Sequence, residues 1–204
     1  MRGRRPAGFT LVEVLLALSI GAALLVVVFG GVRAGLAAWG RGEARAMALE
    51  HDRSLEQLLA QTIAGAFPYR GNAARVGASG LLFDGRPDRL TLVTVAPPIP
   101  ASIPIAFTAV HVSRDEAGLA VRQLALPNPE PVDRTAAVIV DSSVVGLRFR
   151  YLDKEDETWS DRWEMGVGRE NGLPRAVEIR LTTAVGGRLV EQLPLVISIR
   201  ALTP

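Results

Sequence analysis

One carboxylate, that of Glu13, stands at the start of a long apolar stretch and has the clearest chemistry in this sequence. It closes the hexapeptide GFTLVE at residues 8–13. No charged residue occurs from Val14 to Val32, about nineteen positions, which as a helix approach the roughly 30 Å hydrocarbon core of a bilayer. A carboxylate in apolar surroundings costs about 3 kcal/mol and usually has a partner. Glu13 therefore predicts ion pairing in a low-dielectric setting.

Three interpretations compete for this N-terminal segment, which opens with Arg2, Arg4 and Arg5. A secretory signal peptide explains the basic start, but its apolar part is usually only about 7 to 15 residues long and ends at a cleavage site of small residues. A plain membrane anchor explains the length and, through the arginines, an N-terminus in the cytoplasm. Neither of these two interpretations explains Glu13.

The third interpretation comes from a resemblance. The sequence GFTLVE followed by an apolar helix resembles the class III signal of type IV prepilins and of the pseudopilins of type II secretion systems. The resemblance implies that a prepilin peptidase cleaves after Gly8 and methylates the new N-terminus, Phe9. It also implies that Glu13 neutralises the N-terminal ammonium of a neighbouring subunit. Two opposite charges offset each other's desolvation only when both are present and close.

Residue types that serve catalysis elsewhere occur here without the necessary spacing. The two histidines, His51 and His111, stand in no metal-binding or triad spacing. Residues 77–80 read GASG, which lacks the order of a nucleophile elbow and predicts a flexible turn. Lys154 is the only lysine, and no phosphate-binding loop is present. We expect no catalytic residue, no metal site and no cofactor.

Two further segments are unusual in composition. An acidic group is close enough in sequence to suggest Ca²⁺ ligands, but it lacks the glycine and terminal glutamate of an EF-hand loop, so a solvated hairpin is predicted; it comprises Asp153, Glu155, Asp156, Glu157 and Asp161. The proline-rich residues 97–100, with Pro104 beyond them, predict an extended connection.

Composition agrees with an exported, membrane-anchored protein. The chain has 204 residues, enough for one anchor and one domain, and it has no cysteine, so neither disulfides nor thiolate metal sites can form. The formal charge is +2. Removing a leader with three arginines would leave a nearly neutral chain, so the basic balance gives little support for nucleic-acid binding.

Helical periodicity continues beyond the apolar run and becomes amphipathic. One continuous helix from about Phe9 to about Ala64 is predicted, and its upper half is expected to bury an apolar stripe against the domain that follows. This stripe consists of Met47, Leu55, Leu58, Leu59 and Ile63.

From Pro68 onward, proline and glycine punctuate segments that alternate with a period of two, which is typical of half-buried strands. The clearest strands are predicted at 90–95, 145–151 and 177–181, and in a last run that places Leu193, Leu195, Ile197 and Ile199 on one face. Further strands are predicted at 81–83, 105–113, 119–126 and 136–140. A long helix followed by many antiparallel strands predicts an α+β, pilin-like fold with the helix packed on a sheet.

The distal half sharpens the resemblance. The segments LRFRYL at 147–152 and GLPRAVEI at 172–179, with Trp159 and Trp163 between them, resemble the J-type minor pseudopilins of type II secretion. Phe83 and Gly85, ahead of the strand at 90–95, fit the same group. The two tryptophans either cover the sheet or, since tryptophan is enriched in interface hot spots, contact another subunit.

These observations predict four segments: a cleaved leader at 1–8, a transmembrane helix at 9–33, an amphipathic helix half at 34–66 and a periplasmic β-rich domain at 67–204. The resemblance implies a structural subunit of the pseudopilus tip. Its implied partners are minor pseudopilins of the I, K and H types, the major pseudopilin, the prepilin peptidase and inner-membrane lipid. The alternatives are a minor pilin of a type IV pilus or competence system and, less favoured, a single-anchored periplasmic enzyme.

Overall fold

The computed structural model describes residues 10–69, 83–100, 107–128, 130–163, 172–185 and 187–200. Their secondary structure is one helix, ten strands and a short 3₁₀ turn at Val132–Arg134. The helix is α1 (Leu11–Ala64), and the strands are β1 (Phe83–Gly85), β2 (Arg89–Thr94), β3 (Thr108–Asp115), β4 (Gly118–Ala125), β5 (Ala137–Asp141), β6 (Val144–Leu152), β7 (Trp159–Ser160), β8 (Ala176–Val185), β9 (Arg188–Glu191) and β10 (Leu195–Ser198). The predicted α+β class is confirmed.

The apolar run forms the first part of α1. Residues Leu11–Gly40 are long and apolar enough to cross a membrane, and none of the most apolar window is buried within the chain. A compact unit ends at Arg53 and a second begins at Ser54. The second unit holds the end of α1 and all ten strands.

Ten antiparallel strands form two sheets. The first sheet has the order β1-β2-β3-β4-β5, so that each strand pairs with its neighbour in sequence. The second has the order β10-β8-β6-β7, and β9 also pairs with β8. Strands β9 and β10 occupy successive stretches of β8, opposite 182–185 and 176–179 respectively. The N–H of Gln192 donates to the carbonyl of Leu181 at 2.9 Å, which continues the ladder between them.

One apolar core joins the end of α1 to both sheets. Leu55, Leu59 and Ile63 are buried in the same cluster as Val110 from the first sheet and Phe149 from the second. Fully burying side chains such as Leu59 and Ile63 stabilises the fold by roughly 1.5 to 3 kcal/mol each. The predicted burial of the helical stripe is confirmed for these three residues, and Leu58 is partly buried; the side chain of Met47 lies outside the described residues.

Backbone hydrogen bonds fix the last turn of α1. The N–H of Val95 donates to Gly65 O at 3.0 Å, and the N–H of Arg200 donates to Ala64 O at 3.2 Å. A Cβ at position 65 would lie 2.8 Å from Thr94 Oγ1, so the close approach of helix and strand requires glycine. Carbonyls that a helix end leaves without intrahelical partners are thereby satisfied by the β-domain.

The alternation correctly predicted most strands, with two omissions and one error. Strands β7 and β9 were not predicted, because β7 has only two residues and all four residues of β9 are exposed, which leaves no buried alternation. The placement of Leu193 on the buried face is wrong, since it is 90 % exposed. Pro194 has no N–H to donate to a ladder, and the strand begins only at Leu195. Residues 81–82 and 105–106 of the predicted strands, and the predicted turn at 77–80, lie outside the described residues.

Tyr151 lies at the centre of the core and depends on two neighbours. It is fully buried, and its hydroxyl donates to the carbonyl of Arg86 at 2.9 Å. Burial raises the pKa of this hydroxyl above its usual value, so the side chain stays neutral. Its ring passes directly over Gly85, where a Cβ would lie 2.5 Å from the ring.

We predict that Gly85→Ala destabilises the protein, because a methyl group there overlaps a rigid aromatic ring that the packed core does not allow to move. Overpacking of this kind lowers the free energy of unfolding by about 1 to 3 kcal/mol. Gly172→Ala is the matched control, since an added Cβ at that position meets nothing within 4 Å. Urea unfolding of the full chain in detergent measures both variants. Equal unfolding midpoints for the two variants would contradict the proposed contact.

His111 gives the domain a pH-dependent stability. The residue is 7 % exposed, and its Nδ1 lies 2.8 Å from Thr91 Oγ1. Its pKa is lowered chiefly by burial, and Arg122 and Arg89 lower it further against the opposing effect of Asp133. The unfolded chain therefore binds the proton at a higher pH than the folded chain does. The stability that neutral His111 contributes is fully present above the ordinary histidine pKa and is lost as the pH falls below it.

We therefore predict that the thermal unfolding midpoint of the full chain falls as the pH is lowered from about 7.5 through the histidine range near 6.5. His111→Gln keeps a polar side chain but removes the titration, so this variant should show a flatter profile. His51→Gln, on an exposed part of α1, is the control and should keep the wild-type slope. The same slope in all three proteins would contradict the assignment.

Candidate functional site

Glu13 lies in the first turn of α1, where Thr10 caps the helix. The N–H of Glu13 donates to Thr10 Oγ1 at 3.3 Å and to Thr10 O at 3.1 Å. The spacing of threonine and glutamate is that of a capping box. A carboxylate is also favoured at this end of a helix by the macrodipole. The residue is thus held at the helix start by local backbone chemistry; Gly8 and Phe9 lie outside the described residues.

Exposed apolar side chains surround Glu13 in the described part of the helix. Leu11 is 78 % exposed and Val12 72 % exposed, and the next turns continue with Leu15, Leu16 and Leu18. Ser19 donates to its own helix, to Leu15 O at 2.8 Å, which satisfies its hydroxyl within the helix. Such a surface requires lipid or neighbouring apolar helices. In either setting a carboxylate is costly and usually has a partner.

The two tryptophans have different positions. Trp163 is 2 % exposed, its Nε1–H donates to Gly172 O at 3.1 Å, and its backbone pairs with Gly85. It is a core residue and does not offer a contact surface. Trp159 in β7 is half-exposed, and the guanidinium carbon of Arg150 lies 5.8 Å from its ring centroid. Of the two predicted contact residues, Trp159 alone keeps a surface position.

The acidic group does not converge on one point. Asp153 is 7 % exposed, which contradicts a fully solvated loop, and its Oδ1 accepts the N–H of Glu155 at 2.9 Å. Glu157 pairs with Arg175 at 2.6 Å, while Asp161 pairs with arginines of β6. Within the described ranges, no three histidine, cysteine or acidic side chains are arranged to hold a metal ion. The geometry is that of a turn-forming aspartate and separate ion pairs.

A side-chain amide holds the proline-rich connection in place. The N–H of Ile99 donates to Gln123 Oε1 at 3.0 Å, and Gln123 Nε2 donates to Ile99 O at 3.0 Å. Gln123 therefore satisfies both backbone groups of Ile99, as a neighbouring strand would do. Pro97 and Pro98, which lack N–H groups, cannot themselves continue a ladder. The segment is held as a connection by this side chain of β4 in the first sheet.

Sequence reasoning missed a charged surface on the second sheet. Arg148 and Arg150 alternate with the buried Phe149 along β6, and Arg180 alternates with Ile179 along β8. Pairing of the strands places Arg148 directly opposite Arg180. The alternation was visible in the sequence, but the partner of each arginine depends on a register between segments about thirty residues apart.

Comparisons with known proteins give two matches to protein families. The family described as "Type II secretion system (T2SS), protein J" matches residues 44–195, and the "Prokaryotic N-terminal methylation motif" matches residues 3–29. The first match covers most of the chain. The second covers the predicted cleavage point and the start of α1.

One individual relative and one solved structure match this chain at low sequence identity. The chain is 34 % identical over 93 residues to the type II secretion system protein J of Xanthomonas campestris pv. campestris, and the match covers 46 % of this chain and 44 % of that protein. The match thus spans less than half the length of that relative. A chain of the GspK-GspI-GspJ complex from enterotoxigenic Escherichia coli is 15 % identical with a TM-score of 0.47, over 76 % of this chain and 99 % of the other. On the family match over residues 44–195, this chain belongs to the type II secretion system protein J family.

Proposed function

We propose that this chain is a minor pseudopilin, a structural subunit that supports protein export by joining the tip of the pseudopilus of a type II secretion system. The observation that carries the proposal is the position of Glu13, in the first turn of an apolar helix whose described side chains are exposed. Membership of the protein J family favours secretion over a pilus or competence system. This structural role needs no catalysis, so we propose that the chain is not an enzyme.

The proposed arrangement has one membrane span. The methylation motif and the apolar helix fit a single anchor, and the arginines at positions 2, 4 and 5 favour an N-terminus in the cytoplasm. Residues 1–8 are then the cleaved leader, 9–33 the span in the inner membrane, 34–66 the amphipathic helix half and 67–204 the periplasmic domain. This arrangement exposes the β-rich domain to periplasmic partners.

Glu13 acts in assembly by neutralising a charge outside its own chain. Cleavage after Gly8 creates an ammonium group at Phe9, four residues before the carboxylate. When apolar helices of neighbouring subunits pack together, each ammonium and each carboxylate would be desolvated. Pairing the Phe9 ammonium of one subunit with Glu13 of the next satisfies both charges. It also favours one axial offset between the neighbouring helices.

The proposed partners are other minor pseudopilins, of the I, K and H types, and the major pseudopilin. Before assembly the chain is a substrate of the prepilin peptidase, and the inner-membrane lipid surrounds its apolar helix. Leu55, Leu59 and Ile63 are buried in this chain's own core, so the stripe of the upper helix is not the contact surface. The periplasmic contacts then fall to the outer faces of the sheets, which include Trp159.

We predict that the bond between Gly8 and Phe9 is cleaved in the native host and that the new N-terminus is methylated. Mass spectrometry of the purified chain should find a mature protein that begins with N-methyl-phenylalanine. Gly8→Ala should impair cleavage, because in this scheme the peptidase needs glycine before the bond. The control is Gly3→Ala, which lies inside the leader but away from the bond. An intact Met1 start, or a cut beyond Val32, would overturn the processing step.

We also predict that Glu13→Ala abolishes most secretion while the chain still inserts and folds. Leaving the partner's buried ammonium unpaired costs about 3 to 5 kcal/mol, whereas insertion becomes easier without the carboxylate. The measurements are secretion by a deletion strain that carries the variant and the recovery of I-type and K-type subunits with the tagged chain. Ser19→Ala is the matched control, since that hydroxyl bonds only its own helix turn.

Two results bear on the proposed function itself. Glu13→Gln separates charge from shape, and it should fail as Glu13→Ala does, because the neutral amide cannot offset an ammonium. Normal secretion by both variants would remove the assembly role of Glu13. If the wild-type chain does not restore secretion but restores pili or DNA uptake, the chain is a minor pilin instead.

A further inference from the structure

The outer face of the second sheet carries three arginines on two adjacent strands. We call this surface the arginine face and define it by Arg148 and Arg150 of β6 and Arg180 of β8. Their neighbours Phe149 and Ile179 point to the opposite, buried side of the sheet. The register places Arg148 opposite Arg180, and Arg150 opposite Glu178.

The cations of the arginine face pair with two carboxylates that differ in exposure. Arg180 Nε lies 2.8 Å from Glu178 Oε1, and the two side chains are 42 % and 10 % exposed respectively. Asp161 is shared by Arg148, at 3.1 Å, and Arg150, at 3.6 Å. The Arg148 side chain is 60 % exposed. Asp161 is itself 48 % exposed, so an approaching molecule meets the guanidinium groups of Arg148 and Arg180 together with this carboxylate.

Two like charges directly opposite each other on neighbouring strands destabilise a sheet. Arg148 and Arg180 form such a pair. Among the described residues, the carboxylates that pair with the three cations are the buried Glu178 and the exposed Asp161. A carboxylate from outside that reaches both guanidinium groups would form a charge-assisted hydrogen bond with each of them.

The borders of the arginine face are apolar. On one side, Trp159 lies half-exposed beside Arg150. On the other side, Val196 of β10 is 52 % exposed and is paired in register with Glu178. Tryptophan and arginine are the residue types most enriched in interface hot spots. A charged centre between apolar borders fits a folded protein surface with discrete acidic groups.

We propose that the arginine face binds a carboxylate-bearing surface of another pseudopilin subunit in the assembled tip. The proposal rests on the proposed function and adds the binding surface and the chemistry of its partner. An anionic membrane fits this face less well, because Asp161 and Glu191 are exposed at its rim and a uniformly negative surface would repel them. A protein partner can place its carboxylates over the arginines alone.

The test compares Arg148→Glu with Arg175→Glu in the full chain, produced in membranes together with the I-type and K-type subunits. Arg175 is the matched control, because its side chain is 56 % exposed and also pairs with one exposed carboxylate, that of Glu157. We expect at least a tenfold loss of co-purified partner for Arg148→Glu, which replaces attraction by like-charge repulsion. Arg175→Glu should change recovery by less than about twofold.

A second measurement locates the contact. The chain has no cysteine, so Ser198→Cys, on the same face of β10 as Val196, provides a single thiol for a photo-crosslinker. The expected product is an adduct with an I-type or K-type subunit that disappears when Arg148→Glu is added. If Arg148→Glu does not reach the membrane, Arg148→Gln removes the cation without adding an anion and should reduce the same adduct.

The outcomes separate this proposal from the proposed function. Equal partner recovery by Arg148→Glu and Arg175→Glu would overturn the arginine face as the contact while leaving the pseudopilin role in place. Adducts with phospholipid only would overturn it in favour of a membrane surface. If the wild-type chain recovers neither the I-type nor the K-type subunit, the proposed function fails together with this inference.

Discussion

Burial of the last turns of α1 is the interaction on which the β-domain depends. Leu55, Leu59 and Ile63 supply apolar surface that both sheets share, so neither sheet has to close a core alone. The backbone confirms the same dependence, since Ala64 and Gly65 accept hydrogen bonds from the segments after β10 and β2. A chain without cysteine has no disulfide to replace this contact. The helix is therefore part of the folded domain and not only a support for it.

Two glutamates illustrate two ways to pair a carboxylate that is removed from water. Glu178 is 8 % exposed, and Arg180, two residues along the same strand, holds a guanidinium against it. Glu13 stands among exposed apolar side chains in the first turn of α1, and the most apolar window of this helix has no buried residue. The first charge is satisfied by folding. In the proposed function, the second is satisfied only by assembly, which would make subunit packing conditional on the mature N-terminus of a neighbour.

The described surface combines two kinds of exposed side chain. The long apolar part of α1 suits lipid and neighbouring helices, whereas the exposed positions of the second sheet combine arginine, tryptophan and valine. Chemistry based on a nucleophile or a metal would require several side chains directed to one point. Asp153 and Glu157 instead have separate partners, in a backbone turn and in Arg175. These two carboxylates therefore stabilise the turn and an ion pair of the domain.

The sequence by itself determined the apolar helix, the position of Glu13 at its start and most of the strands, because these depend on local periods of 3.6 and two residues. It could not assign Trp159 to the surface and Trp163 to the core, since the two stand four residues apart in an irregular segment. Nor could it show that Pro194 leaves Leu193 in solvent, or that Arg148 faces Arg180. Tertiary structure decided these points, because pairing between β6 and β8 is set by backbone hydrogen bonds and core packing between residues distant in sequence.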